Sequence, residues 1–231
     1  MTSLSTVNRQ VVRCDRCPRL RAHCARVAVE KRAAHCADTY WGRPVPGFGD
    51  PRARLLVVGL APGAHGANRT GRLFTGDSSG DFLFRALHRA GFASQPTSRH
   101  PGDGLVLEGA YIAAAARCAP PDNKPTREEL DRCLPFLAAE VRALSDVVAV
   151  VALGRIAFDA VLNVLGGLGA TVRPRPPFAH ARMCPFGTGF PALIASYHPS
   201  RQNTNTGRLT EPMFDEVFRL ARGLTHPKAR S

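Results

Sequence analysis

Two groups of residues in this 231-residue chain have types and spacings suited to chemistry. The first is a set of thiols. Cys14 and Cys17 are separated by two residues, the spacing of a metal-binding turn, and Cys118 and Cys133 form a second pair separated by fourteen. Four thiolates suit either a structural zinc or a [4Fe–4S] cluster, and the spacing leaves both open. The remaining three of the seven cysteines, Cys24, Cys36 and Cys184, fit no such pattern and read as core or exposed thiols. The second group is a glycine-dense loop and a histidine. Residues 55–82, LLVVGLAPGAHGANRTGRLFTGDSSGDF, carry Gly63, Gly66, Gly71 and Gly76 between an apolar run and an amphipathic stretch. The loop has no G-x-G-x-x-G fingerprint, and it ends in Gly-Arg-Leu where a Walker loop needs Gly-Lys-Ser/Thr. Its glycines imply a backbone bent around a ligand, with Asn68, Arg69, Arg72 and Asp77 as its polar groups and His65 as a further candidate. His198 opens a His-Pro-Ser step after another apolar run.

Those groups need elements to hold them. The apolar runs at 55–60, 105–118, 147–153 and 192–197 read as four buried strands. Between them lie helical patterns. Thr126-x-x-Glu129 is a capping box, with Pro135 expected to kink or split the helix that it opens. Gly154 starts another helix, which ends at Gly166-Gly167, and Thr210 caps a last one that should stop at Gly223. Residues 14–30 carry Leu20, Cys24 and Val27 at helical spacing, while 1–10 and the tail after 223 show little pattern and are expected to be loose. Strands alternating with helices imply an α/β fold, a three-layer α/β/α sandwich around a short, mostly parallel four-stranded sheet. Without repeats or a linker, residues 1–231 read as a single domain with an ordered core at 10–222. The glycine loop, the loop after Cys118 and the His198 loop each follow a strand, so all three can meet at one sheet edge.

Bulk composition narrows the partners. The net charge is +13, and lysine appears only at Lys31, Lys124 and Lys228, so the excess is arginine, the residue suited to bidentate phosphate contacts. No apolar segment approaches the roughly 20 residues that span a bilayer. The Arg- and Cys-rich start does not read as a signal peptide, which gives the expectation of a cytoplasmic protein with no membrane partner.

GLAPGAHGANRTGRLFTGD resembles the first motif of the type B, or family 5, uracil-DNA glycosylases, and three further features match in order: Cys14-x2-Cys17, the Cys118/Cys133 pair, and HPSRQNTNTG at 198–207. The resemblance covers most of the chain and implies the uracil-DNA glycosylase fold, four cysteines holding [4Fe–4S], and a monomer that acts on DNA containing uracil. It makes Phe74 the platform that stacks the base, with Gly63 beside it, and Asn123 the reader of its polar edge. His198 becomes the donor to the base oxygen. Asp77 positions water, with Asp81 as the alternative, because Leu60 and Ala61 stand where other families place a carboxylate or amide. Arg69, Arg72 and Arg201 fall to phosphates, with Asn68 and Asn205 as further DNA contacts. Two positions depart from related patterns. Leu73 stands where Pro is expected, and Ala114 replaces the Asn with which type A relatives read uracil. A pocket lacking that Asn implies a broader range of deaminated bases, including hypoxanthine and xanthine. The only lysine near these motifs is Lys124, which favours a monofunctional enzyme over an imine-forming lyase. Two rivals stand beside this reading: a non-catalytic or covalent uracil-DNA binder, and a cluster-bearing accessory protein whose glycine loop holds a nucleotide.

Overall fold

The computed structural model describes residues 3–226. Its elements in chain order are α1 (Leu4–Val12), α2 (Pro18–Glu30), β1 (Phe48–Gly49), β2 (Leu55–Gly59), α3 (Ala67–Thr70), α4 (Ser78–Arg89), β3 (Ala110–Ala114), α5 (Arg127–Ala143), β4 (Ala149–Leu153), α6 (Arg155–Gly167), β5 (Met183–Cys184), β6 (Ala192–Ser196), α7 (Arg201–Asn205) and α8 (Glu211–Thr225). The sheet order is β1-β3-β2-β4-β6-β5. β3, β2, β4 and β6 are parallel neighbours, and every residue of β2, β3 and β4 is buried. Burial on both faces accounts for the unbroken apolar runs.

Alternate residues feed two cores. Leu55, Val57, Ile112, Val151 and Ile194 pack with α4 and α8 through Leu83, Phe84, Phe214 and Phe218. Leu56, Val58, Tyr111, Val150 and Leu193 pack with α5 and α6 through Leu137, Phe158 and Val161. This is the expected three-layer α/β/α arrangement. The sheet has six strands rather than four, because two-residue antiparallel strands extend both edges. Two residues carry no readable periodicity.

Four local expectations are corrected. The second strand covers Ala110–Ala114, not 105–118; Gly109 turns the chain just before it at φ +62°, and Ala115 and Ala116 donate to the carbonyls of Gly59 and Leu60 at the exit of β2. Pro135 leaves α5 continuous, because it lies on the exposed face where water can serve the carbonyl it frees. Residues 4–12 are helical: Ser3 caps α1 and Val7 and Val11 bury against Phe136 of α5. The last helix passes through Gly223 to Thr225, whose side chain is buried. The tail at 227–231 lies outside the described residues.

The first parallel strand in the chain, β2, is central. The chain moves to β3 on one side of it and then to β4 on the other, which makes the crevice beyond the carboxyl ends of β2 and β4 the topological switch point.

Candidate active site

The glycine loop leaves β2 at Gly59 and returns at Asp77, which caps α4 by accepting from the Gly80 amide at 2.9 Å through Oδ1. The second carboxylate oxygen points at the loop's backbone. A Cβ on Gly66 would overlap it, and one on Gly63 would come within 2.9 Å of it. The glycines therefore make room for a carboxylate. Burial raises the Asp77 pKa, as does nearby Asp81, against the lowering effects of the Gly80 and Ser79 amides and Arg69.

Phe74 sits at the loop's apex with φ +53°, a conformation costly for a bulky residue. Its ring lies against Gly59, where a Cβ would stand 2.6 Å from ring carbon Cζ. Its carbonyl lies against Gly80, where a Cβ would overlap it. Across the crevice the Phe74 and His198 ring centroids are 6.2 Å apart at an interplanar angle of 31°.

β6 delivers His198 two residues beyond its end. Gly154, at the exit of β4 with φ +94°, accommodates it: a Cβ there would already meet the His198 Cβ at 3.4 Å. Ser200 caps α7, and the Asn203 side-chain amide donates to the His198 carbonyl at 2.9 Å. Burial lowers the His198 pKa to about 4, so the imidazole is neutral at neutral pH and retains an N–H donor.

Asn123 comes from the loop after β3, in a 3-10 turn where Asp122 and Asn123 have φ of +54° and +56°. The structure brings Gly63, Phe74, Asp77, Asn123 and His198 together in the lining of one cleft of about 1210 Å³ at the carboxyl edge of the sheet. Asp81 lines it too. So does His65, whose Nδ1 is 3.0 Å from the buried Tyr40 hydroxyl.

The expected DNA contacts divide. Arg201 is exposed and lines the cleft. Arg69 lines it as well, but its guanidinium is engaged by Asp38 and the carbonyls of His65 and Gly76. Asn205 is exposed on α7, outside the lining. Asn68 and Arg72 are corrected outright. Asn68 is fully buried, donating to the Cys24 and Ala64 carbonyls at 3.4 Å, and Arg72 is buried against Asp103, Ser98 and Thr75. Neither side chain stands at the surface where a phosphate would meet it. Sequence reading missed two cleft arginines, Arg32 and Arg99, which lie outside every motif.

Cys17, Cys118 and Cys133 lie near one another. Burial raises the thiol pKa of Cys17 and of Cys133, and nearby Cys118 raises both further. Cys14 follows α1 and packs near Phe136. Arg132 of α5 donates to the Arg16 carbonyl at 2.7 Å, and Arg19 of α2 grips Glu129 at 2.8 and 2.6 Å, so the Cys14–Cys17 turn is fastened to the helix bearing Cys133. Among the described residues, no three His, Cys, Asp or Glu side chains are arranged to hold a metal ion. Cys24 is buried beside Cys118, Cys184 is also buried, and Cys36 is exposed. No helix is long and apolar enough to cross a membrane among the described residues.

With this geometry in place, comparison with known proteins is specific. The family model described as the uracil DNA glycosylase superfamily matches residues 46–222. The chain is similar to the Type-5 uracil-DNA glycosylase of Thermus thermophilus, at 54% identity over 91% of this chain and 93% of that protein. It is similar to the Type-5 enzyme of Mycobacterium leprae at 50% identity over 96% of each chain. Similarity to a Type-4 uracil-DNA glycosylase of Pyrobaculum aerophilum is lower, at 29% over 71% of this chain and 66% of the relative. Long matches at this identity, with a switch-point cleft built from the matching loops, make this chain a member of the uracil DNA glycosylase superfamily.

Proposed function

We infer that the chain is a monofunctional DNA glycosylase, a hydrolase that cleaves the N-glycosidic bond of uracil in DNA and begins base-excision repair. One observation carries the reading: an aromatic ring and a part-buried carboxylate from the glycine loop, and a neutral histidine from the loop after β6, face a single cleft. Cleaving the bond develops positive charge on the sugar and negative charge on the departing base. The base is first extruded from the duplex. Phe74 then stacks on it and Asn123 holds its polar edge. His198 donates an N–H hydrogen bond to the base oxygen as charge accumulates there, and as a neutral imidazole it stabilises that charge while keeping its proton. Ionised Asp77 orients the attacking water and faces the sugar cation. Among the described residues no lysine lines the cleft, so water is the nucleophile in this reading.

Ala114 ends β3, buried beside Gly59 in register. With no amide there to demand uracil's pattern of donors and acceptors, the pocket also admits hypoxanthine and xanthine. Cleavage of uracil with inosine-containing duplex untouched at high enzyme would overturn that extension. DNA as substrate places the protein in the compartment holding the genome, the cytoplasm in the sequence reading, and it acts as a monomer.

The resemblance assigns Cys14, Cys17, Cys118 and Cys133 to a [4Fe–4S] cluster, and the proximity of Cys17, Cys118 and Cys133 supports that assignment. A cluster binds each thiolate at a separate iron. Once bound, it supplies a tie between the N-terminal segment and the loop carrying Asn123, and no chemistry at the glycosidic bond.

An end-labelled duplex with one uracil tests the activity. The expected result is a cut at the uracil that appears only after alkali. An uncut duplex retarded on a native gel supports the binding-protein alternative, and neither result in iron-loaded protein overturns both.

A further inference from the structure

Three arginines in the lining of the cleft come from three separate segments: Arg32 just after α2, Arg99 between α4 and β3, and Arg201 at the start of α7. All three are exposed, and among the described residues none is in an ion pair or a side-chain hydrogen bond. That sets them apart from the arginines of the glycine loop. The glycine-loop arginines are already neutralised, Arg69 by Asp38 at 2.8 Å and Arg72 by Asp103 at 2.7 Å. Many arginines elsewhere are paired as well, including Arg19, Arg89, Arg127, Arg175 and Arg219.

The segments carrying two of these arginines are built to hold them. Asp103 accepts from the Arg99 and His100 amides at 2.7 and 3.3 Å and from the Leu105 amide at 3.2 Å, folding the segment around its carboxylate. Arg72, itself buried, holds that carboxylate from below and bonds Ser98 at 2.8 Å. Arg32 follows Lys31, whose φ of +50° ends α2 and turns the chain toward the cleft; His35 then donates to the Arg32 carbonyl at 2.8 Å. Left-handed backbone at a non-glycine residue carries strain that the surroundings must hold.

We propose that Arg32, Arg99 and Arg201 clamp the DNA backbone at three points around the extruded nucleotide, and that the buried Arg72–Asp103 pair is the brace that holds Arg99 in place. The proposal rests on the glycosylase reading. The chemistry recognised is the phosphodiester, by guanidiniums with no competing partner. Two exposed carboxylates, Asp81 and Asp122, share the lining, and their charge disfavours a phosphate beside them. Arg72 changes role, from direct contact to a positioning residue.

The test is the salt dependence of binding to an undamaged duplex and to a duplex with a tetrahydrofuran abasic site, followed by fluorescence anisotropy. Each lost phosphate contact should lower the slope of log K against log salt by about 0.9. Arg32→Gln and Arg99→Gln should each show that loss, with binding about tenfold weaker at low salt and the penalty on uracil cleavage falling on KM rather than kcat. Asp103→Asn should reproduce the Arg99→Gln slope, and the double variant should add nothing further. Arg219→Gln, on the outer face of α8, should leave the slope at the wild-type value. Unchanged slopes in Arg32→Gln and Arg99→Gln, in enzyme that still cleaves uracil, would overturn the clamp alone. A wild-type protein that binds with the full slope but cleaves nothing would overturn the glycosylase reading and leave the clamp standing.

Discussion

Gly59 and Phe74 share one volume: the edge of the Phe74 ring fills the space in which a side chain at position 59 would begin, 2.6 Å from the built Cβ. The last residue of a central strand thus sets the height of the surface on which a base would lie. Gly59 has no left-handed backbone requirement, so adding a methyl group tests the contact without imposing backbone strain. Gly59→Ala should push the ring into the cleft and lower kcat/KM for uracil duplex by about 10- to 100-fold, comparable to losing a base–aromatic stack of about 1–3 kcal/mol. Phe74→Ala should give a similar loss, and combining the two should cost little more. Steady-state kinetics on the three variants checks this, and fully additive losses would separate the two residues.

Asp77 is held for function at a cost to the fold. Burial raises its pKa, so the ionised form required to orient water is disfavoured in the folded protein. The sign follows from linkage. A folded-state pKa above the unfolded value means that ionisation destabilises the fold, with stability falling as pH rises from the unfolded pKa through the folded one. Asp77→Asn keeps the cap on α4 and removes the buried charge. It should raise Tm at neutral pH, by about 2–4 °C for each kcal/mol relieved, while lowering kcat by about 10²- to 10⁴-fold. In the wild type, activity should fall on acidification at a pH above the ordinary carboxylate range. His198 adds no limb near neutrality, since it gains its proton only at about pH 4. Melting curves and a pH–rate profile on the two proteins decide the matter.

The elements around the cleft were legible because their signals are local. Leu55–Gly59 is apolar throughout, Thr126 and Glu129 form the expected capping box, and Thr210 caps α8 as read. His198 was legible as the residue following a buried strand. The arginines were not, because their partners are remote in sequence. Arg72 and Asp103 are 31 residues apart, and nothing between them distinguishes a braced arginine from a phosphate-binding one. Arg32 and Arg99 belong to no pattern; only the fold brings them to one cleft. α1 was missed for a similar reason, since Val7 and Val11 acquire meaning only against Phe136.

The four cysteines proposed to hold the cluster can be told from the rest by iron content. Cys14→Ser, Cys17→Ser, Cys118→Ser and Cys133→Ser should each lose bound iron and the visible absorbance, and should melt at lower temperature. Cys36→Ser, at an exposed position, should keep its iron. Cys24→Ser is the sharper control. Cys24 lies beside Cys118 and its thiol donates to the Ala119 carbonyl at 3.6 Å, a bond that serine can replace. Iron retained in Cys24→Ser and lost in Cys14→Ser confirms the set. The reverse pattern would move the fourth ligand from Cys14 to Cys24.

Behind the cysteines lies a buried ion pair that should dominate the stability of this end of the molecule. Arg117, next to Cys118, and Glu140 of α5 are both buried, joined by two hydrogen bonds, one of them 3.0 Å between Nη1 and Oε1. The pair touches the outside world nowhere. Gly47 closes over it, since a Cβ there would fall 2.7 Å from Glu140 Oε1 and 2.6 Å from the Tyr111 hydroxyl, which in turn bonds Asn8 of α1. Among the described residues Arg117 Nε has no hydrogen-bond partner. Removing one partner strands the other charge in a low-dielectric interior. Glu140→Ala should therefore destabilise the protein by about 3–5 kcal/mol, measured as a lower denaturant midpoint. Replacing both, Arg117→Met with Glu140→Leu, should recover most of that loss, because no unpaired charge remains. A double variant as unstable as Glu140→Ala would mean that the pair's hydrogen bonds to one another, not the stranded charge, set the penalty.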